Sequence, residues 1–70
     1  MNLSQDQMPY RFIIGQTVLD KNKNLRSVVT KIGKIESKYR FYECECIAGD
    51  PTQMETTVYE DKIRFRVDIT

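Results

Sequence analysis

Seventy residues allow one domain at most, and a chain this short buries only about 60% of the surface that it exposes when unfolded. With 40% hydrophobic and 30% charged residues it is globular, and at this size a binding module is commoner than an enzyme that must enclose a substrate. Eleven basic residues against ten acidic ones leave a formal net charge of +1, which excludes an acidic nucleic-acid mimic and lacks the basic excess of a strong nonspecific DNA binder.

Residues 1–9, MNLSQDQMP, are polar, lack periodicity and end in Pro9, so they read as a flexible N-terminal tail before a domain at 10–70. They show neither the charged nor the apolar region of a secretory leader, and no run approaches the ~20 apolar residues of a membrane span. A cytoplasmic protein without a membrane partner is expected.

From Tyr10 onward the signals are those of strands. Residues 12–19, FIIGQTVL, form an apolar, β-branched first strand with Gly15 as a bend, and 20–24, DKNKN, a turn. In the second strand, 25–36, Val29 and Ile32 cannot share a face at period 2, which predicts a bulge near Thr30-Lys31, with Gly33 as a second candidate for the bend. Ser37-Lys38 is a tight turn, 39–47 a third strand, and Gly49 to Thr52 a loop with Pro51 preset for a turn. A fourth strand is expected at 54–59, then a polar step at 60–62 with room for one 3₁₀ turn. The fifth, 63–69, alternates cleanly: Ile63, Phe65, Val67 and Ile69 on one face, Arg64, Arg66 and Asp68 on the other. No segment carries the helical period over ten residues.

Five short strands must close up or expose long edges, which predicts an all-β, strongly bent five-stranded barrel. The order of features resembles the SH3-like and Tudor-like small barrels: Ile14-Gly15-Gln16-Thr17-Val18, then Val29-Thr30-Lys31-Ile32, then a strand from Tyr42 to Ile47, then Thr57-Val58-Tyr59-Glu60-Asp61-Lys62-Ile63. Among these it is most similar to the CarD-type RNA-polymerase-interacting and HspQ-type domains. The resemblance implies a non-enzymatic adaptor on a larger protein or on nucleic acid, and fold alone does not choose between them.

Cys44 and Cys46 stand two apart on one strand, so with Tyr42 they share a face. A zinc site needs four ligands, and the chain has no His and no further Cys, so a core role is expected, with no metal and no cofactor. Without His the usual general base is missing, and Glu43 and Glu45 read as a solvated face that could pair across strands with Arg64 and Arg66; no catalytic residue is expected. For partner binding, Phe41, Glu43, Glu45 and Ile47 lie opposite the cysteines and form, with Tyr59, a patch that a protein could read, whether within a transcription or nucleic-acid-handling complex or as a phage or mobile-element protein blocking a host enzyme. The alternative is a nucleic-acid surface at 31–41, where Lys31, Lys34, Lys38 and Arg40 interleave with Tyr39. A third possibility is a self-associating subunit joined by its edge strands.

Overall fold

A computed structural model describes residues 9–69 of the protein. Its frame is the hairpin of β2 (Leu25–Ile35) and β3 (Tyr39–Ala48). Strand β1 (Thr17–Asp20) pairs with β2, β4 (Thr57–Tyr59) pairs with β3, and β5 (Arg66–Asp68) pairs with the free side of β1. All four ladders are antiparallel, and the sheet order is β4-β3-β2-β1-β5. The all-β, five-stranded architecture is as expected. Instead of a barrel closed strand to strand, the chain forms one bent sheet: among the described residues no ladder joins β4 to β5, and a 3₁₀ segment, Glu60–Phe65, connects them.

The bulge expected near Thr30-Lys31 is present. Val29 faces Cys44 and Lys31 faces Glu43, so Thr30 is the extra residue, and a second shift lies between Arg26 and Ser27. The first shift reconciles the apolar spacing: Val29 is buried and Ile32 packs against the core on the same side. Gly33 is no bend; it sits in regular register opposite Phe41. At the hairpin tip Glu36 and Ser37 both take left-handed conformations (φ 55° and 61°), and Lys38 N–H donates to the Ile35 carbonyl at 3.2 Å.

Three of the expected strands are shorter than predicted. The first begins only at Thr17, because Gly15 (φ 90°) turns the chain; Gln16 N–H donates to the Ile13 carbonyl, and Ile13 and Ile14 stand exposed. The fourth begins at Thr57, after a 3₁₀ turn, Pro51–Gln53, whose Thr52 N–H is accepted by the Asp50 carboxylate at 3.0 Å. In the fifth, the 3₁₀ segment takes Ile63 to Phe65 and only Arg66–Asp68 remains strand. The clean alternation therefore fails as a face: Ile63 is buried, Phe65 and Ile69 are exposed, and it is Arg66 that points inward. Nor do Glu43 and Glu45 pair with Arg64 and Arg66: Arg66 turns inward to Cys44 and the Glu55 carbonyl, whereas Glu43 faces Lys31 and Thr57.

Phe12, Val18, Val29, Tyr42, Cys44, Val58 and Ile63 form the core. Tyr42 is its centre, meeting the ring of Phe12 edge-on at 5.4 Å and that of Tyr10 at 6.1 Å. Except for Pro9, the tail expected at 1–9 lies outside the described residues, as does Thr70. Among the described residues no helix is long and apolar enough to cross a membrane.

Candidate nucleic-acid interface

Register places an aromatic patch on the outer face of the hairpin. In β3, Tyr39 and Phe41 point away from the core because Tyr42 and Cys44 point into it. Gly33 stands opposite Phe41 on one side and Tyr59 stands opposite it on the other, so the row Gly33–Phe41–Tyr59 crosses three strands. Ile35–Tyr39 forms the next row toward the tip. Gly33 has no side chain, and Phe41 fills the space: a Cβ built on Gly33 would lie 2.7 Å from Phe41 Cζ. Phe41 is thereby half-buried, while Tyr39 is 50% and Tyr59 41% exposed.

Two clefts open beside these tyrosines. One, of about 180 Å³, is lined by Lys38, Tyr39, Arg40, Tyr59, Glu60 and Asp61. The other, of about 350 Å³, shares Tyr39, Tyr59 and Asp61 and adds Ile35, Glu36 and Lys62. Lys38 holds its ammonium 5.1 Å from the Tyr39 ring centre. Exposed rings beside cations can take unpaired bases by stacking and the adjoining phosphates by charge.

The floor of the first cleft is braced from below. Arg40 is buried at 4% exposure; its guanidinium lies 4.5 Å from the Tyr10 ring centre, donates to the Pro9 carbonyl at 3.1 Å and sits 3.7 Å from the Glu60 carboxylate. Tyr42 donates its hydroxyl proton to Glu60 and accepts from Arg11 N–H at 2.7 Å and from Phe12 N–H at 3.4 Å. Burial, and then the bond to Glu60, push the Tyr42 phenol up to about 12. Glu60 is thus held by two inward groups, which leaves Asp61 as the exposed acid of this cleft.

The structure divides the two residue groups expected from the sequence and merges parts of both. Phe41 and Tyr59 adjoin Tyr39, so the aromatic members of the two groups form one patch. Glu45 and Ile47 are exposed farther along β3, and Glu43 is half-buried; none of the three lines either cleft. Lys31 and Lys38 are exposed, and Lys34 is half-buried opposite Arg40. Arg40 itself is withdrawn from the surface into the brace beneath it. Lys62 and Asp61 escaped the sequence reading because residues 60–62 read only as a polar connection with room for one 3₁₀ turn, and nothing local shows that this connection lies beside Tyr39.

Of the cysteines, Cys44 is buried and accepts from the Arg66 guanidinium at 3.2 Å, and Cys46 is half-buried. Burial raises the Cys44 thiol above its usual range, against the pull of Arg66.

Comparison with known proteins relates the chain to one domain family and to relatives that carry an enzyme's name. Residues 1–52 match a family described as the TYW2 N-terminal domain. The chain is 40% identical, over 100% of its length, to a protein of Coprinopsis cinerea named tRNA (guanine(37)-N(1))-methyltransferase, of which it covers 15%. Proteins of the same name are 46% identical in Phytophthora infestans, over 94% of this chain and 16% of the relative, and 41% identical in Xenopus tropicalis, over 100% and 14%. The chain therefore spans about a seventh of the length of these relatives. No solved structure gives a significant match.

These matches overturn several expectations. A non-enzymatic adaptor and a phage or mobile-element inhibitor are both displaced by relatives that carry an enzyme's name along the whole chain, and the fungal, oomycete and frog sources displace a bacterial or phage origin. The physical reason for the error is that small size and a missing His were read as the absence of any catalytic context.

Proposed function

The chain belongs to the TYW2 N-terminal domain family, and on that premise we propose that it binds tRNA in the service of a methyltransferase of the tRNA (guanine(37)-N(1)) kind, the name that its relatives bear. Binding runs through the outer face of the β2–β3 hairpin. Tyr39 and Tyr59 offer their rings to bases that are not paired, with Phe41 as the floor between them. Lys38 flanks the Tyr39 ring and meets a phosphate. The SH3-like reading of the fold goes with this proposal: the order β4-β3-β2-β1-β5, with a 3₁₀ segment from β4 to β5, leaves the hairpin's outer face uncovered.

One observation carries the proposal. Two tyrosines stand about half exposed on a sheet face whose glycine makes room for the end of a third ring. Solvent-facing aromatic rows of this kind are costly unless they are used, and bases have the matching flat, apolar surface. The near-zero net charge fits a contact that relies on stacking rather than on bulk electrostatics.

The test is titration of a fluorescent tRNA transcript with the protein. Binding is expected at low salt, weakening as salt rises, and Tyr39→Ala with Tyr59→Ala is expected to cost about 1–3 kcal/mol for each base unstacked. No binding at low salt, or unchanged affinity in the double variant, overturns the proposal.

A further inference from the structure

A groove of about 460 Å³ lies along the second 3₁₀ segment. Its charge is segregated from that of the chain as a whole. Lys23, Lys62, Arg64 and Arg66 line it against only Asp20 and Glu55, whereas the full sequence balances eleven cations with ten acids. Two of the four cations serve the fold. Arg66 is buried and donates to Cys44 Sγ and to the Glu55 carbonyl, each at 3.2 Å, and Lys23 donates to the Gln53 carbonyl at 3.0 Å. The Asp20 carboxylate accepts from Asn22 N–H at 3.1 Å.

Lys62 and Arg64 are different. Ile63 anchors the segment by pointing into the core, which turns its two neighbours outward, and among the described residues neither forms an ion pair. Phe65 follows them, 49% exposed, with the Arg64 guanidinium 5.6 Å from its ring centre. The sequence pattern sent Phe65 inward; the structure sends it into the groove. Lys62 also lines one of the clefts at the hairpin tip, so the two surfaces are continuous.

We propose that this groove is a second RNA contact: it takes a phosphodiester segment whose phosphates meet Lys62 and Arg64 and one of whose bases stacks on Phe65. Two outward cations beside a half-exposed ring match the alternation of charge and flat apolar surface along a single strand. The inference rests on the tRNA-binding reading but uses residues apart from Tyr39 and Tyr59, so the two can fail separately.

The experiment measures tRNA-transcript affinity across a salt series. It compares the unaltered protein and Tyr39→Ala with three groove variants: Lys62→Ala with Arg64→Ala, Lys62→Gln with Arg64→Gln, and Phe65→Ala. All three side chains are exposed, and thermal melting checks that each variant stays folded. Each paired cation variant is expected to lower the slope of log affinity against log salt by about 1–2, and Phe65→Ala to weaken binding by about tenfold with its slope unchanged. If the unaltered protein binds and Tyr39→Ala weakens it while these variants keep both affinity and slope, the groove is no RNA contact and the hairpin reading stands. If the unaltered protein does not bind, both proposals fall.

Discussion

Phe41 lies on the backbone of Gly33, its cross-strand partner: a Cβ at Gly33 would stand 2.7 Å from Phe41 Cζ and 2.8 Å from Cε1. Gly33 has no positive φ, so alanine suits its backbone, and only the ring forbids the methyl. In Gly33→Ala the ring must swing away. The expected loss of stability is about 1–2 kcal/mol, at the low end for overpacking because a side chain rather than backbone gives way. The displaced ring also disturbs the surface between Tyr39 and Tyr59, so tRNA affinity should fall. Urea unfolding and the tRNA titration measure the two effects; unchanged values in both would show that Phe41 has free room.

The Tyr42 hydroxyl joins three elements, and its phenol stays protonated to about 12. An unfolded tyrosine ionises near its ordinary value of 10.0. The folded state therefore holds its proton more tightly, so this contribution is complete below pH 10 and is lost as pH rises from about 10 to 12. The expected decline across that window is about 2–3 kcal/mol. Tyr42→Phe should remove the decline. It also leaves the Arg11 and Phe12 N–H groups without this acceptor, at a cost of about 1–3 kcal/mol at pH 7. Chemical denaturation at pH 8 and pH 11 separates the two effects; an equal decline in both proteins would remove Tyr42 as the cause.

Arg40 is expected to matter for stability and Lys38 for binding, although they stand two residues apart on one hairpin. Replacing Arg40 by Ala leaves Glu60 without its buried cation and the Tyr10 ring without its cover, which predicts a loss of about 2–4 kcal/mol. Lys38→Ala removes an exposed ammonium and should change stability by less than about 0.5 kcal/mol while weakening tRNA binding. Melting temperatures of the two variants compare them directly, and equal shifts would contradict the burial of Arg40.

Most of the sheet was legible because β2 and β3 announce themselves. Val29 and Ile32 require a bulge, the bulge is where they require it, and Tyr42 and Cys44 face inward by strand period. The error at residues 63–69 has a definite cause. Four apolar residues at period 2 also satisfy a 3₁₀ segment followed by a short strand, because only Ile63 needs the core, while Arg66 can be buried against Cys44 and the Glu55 carbonyl. A buried arginine cannot be read from spacing alone, and the same holds for Arg40. The site was half legible: basic and aromatic residues interleave visibly at 31–41, but that Tyr59 joins them depends on β4 pairing with β3, a long-range fact.

The two cysteines, adjacent by strand period, should behave as different thiols. Cys44 is buried, its thiol raised by burial and only partly drawn back by Arg66. Cys46, half-exposed, lies opposite Ser27 near the open end of the hairpin, and its thiol donates to the Ala48 carbonyl at 3.6 Å. Reaction with an aromatic disulfide reagent near pH 8 should therefore proceed in two phases. Cys46 reacts first, and Cys44 reacts at a rate limited by opening of the core, accelerating with urea. Cys46→Ser should abolish the fast phase alone. The raised Cys44 thiol carries a pH effect of the same sign as that of Tyr42: its contribution is complete below the ordinary value of 9.0 and is lost above it. Rapid reaction of both thiols without denaturant would place Cys44 outside the core and break the packing of β3 against Arg66.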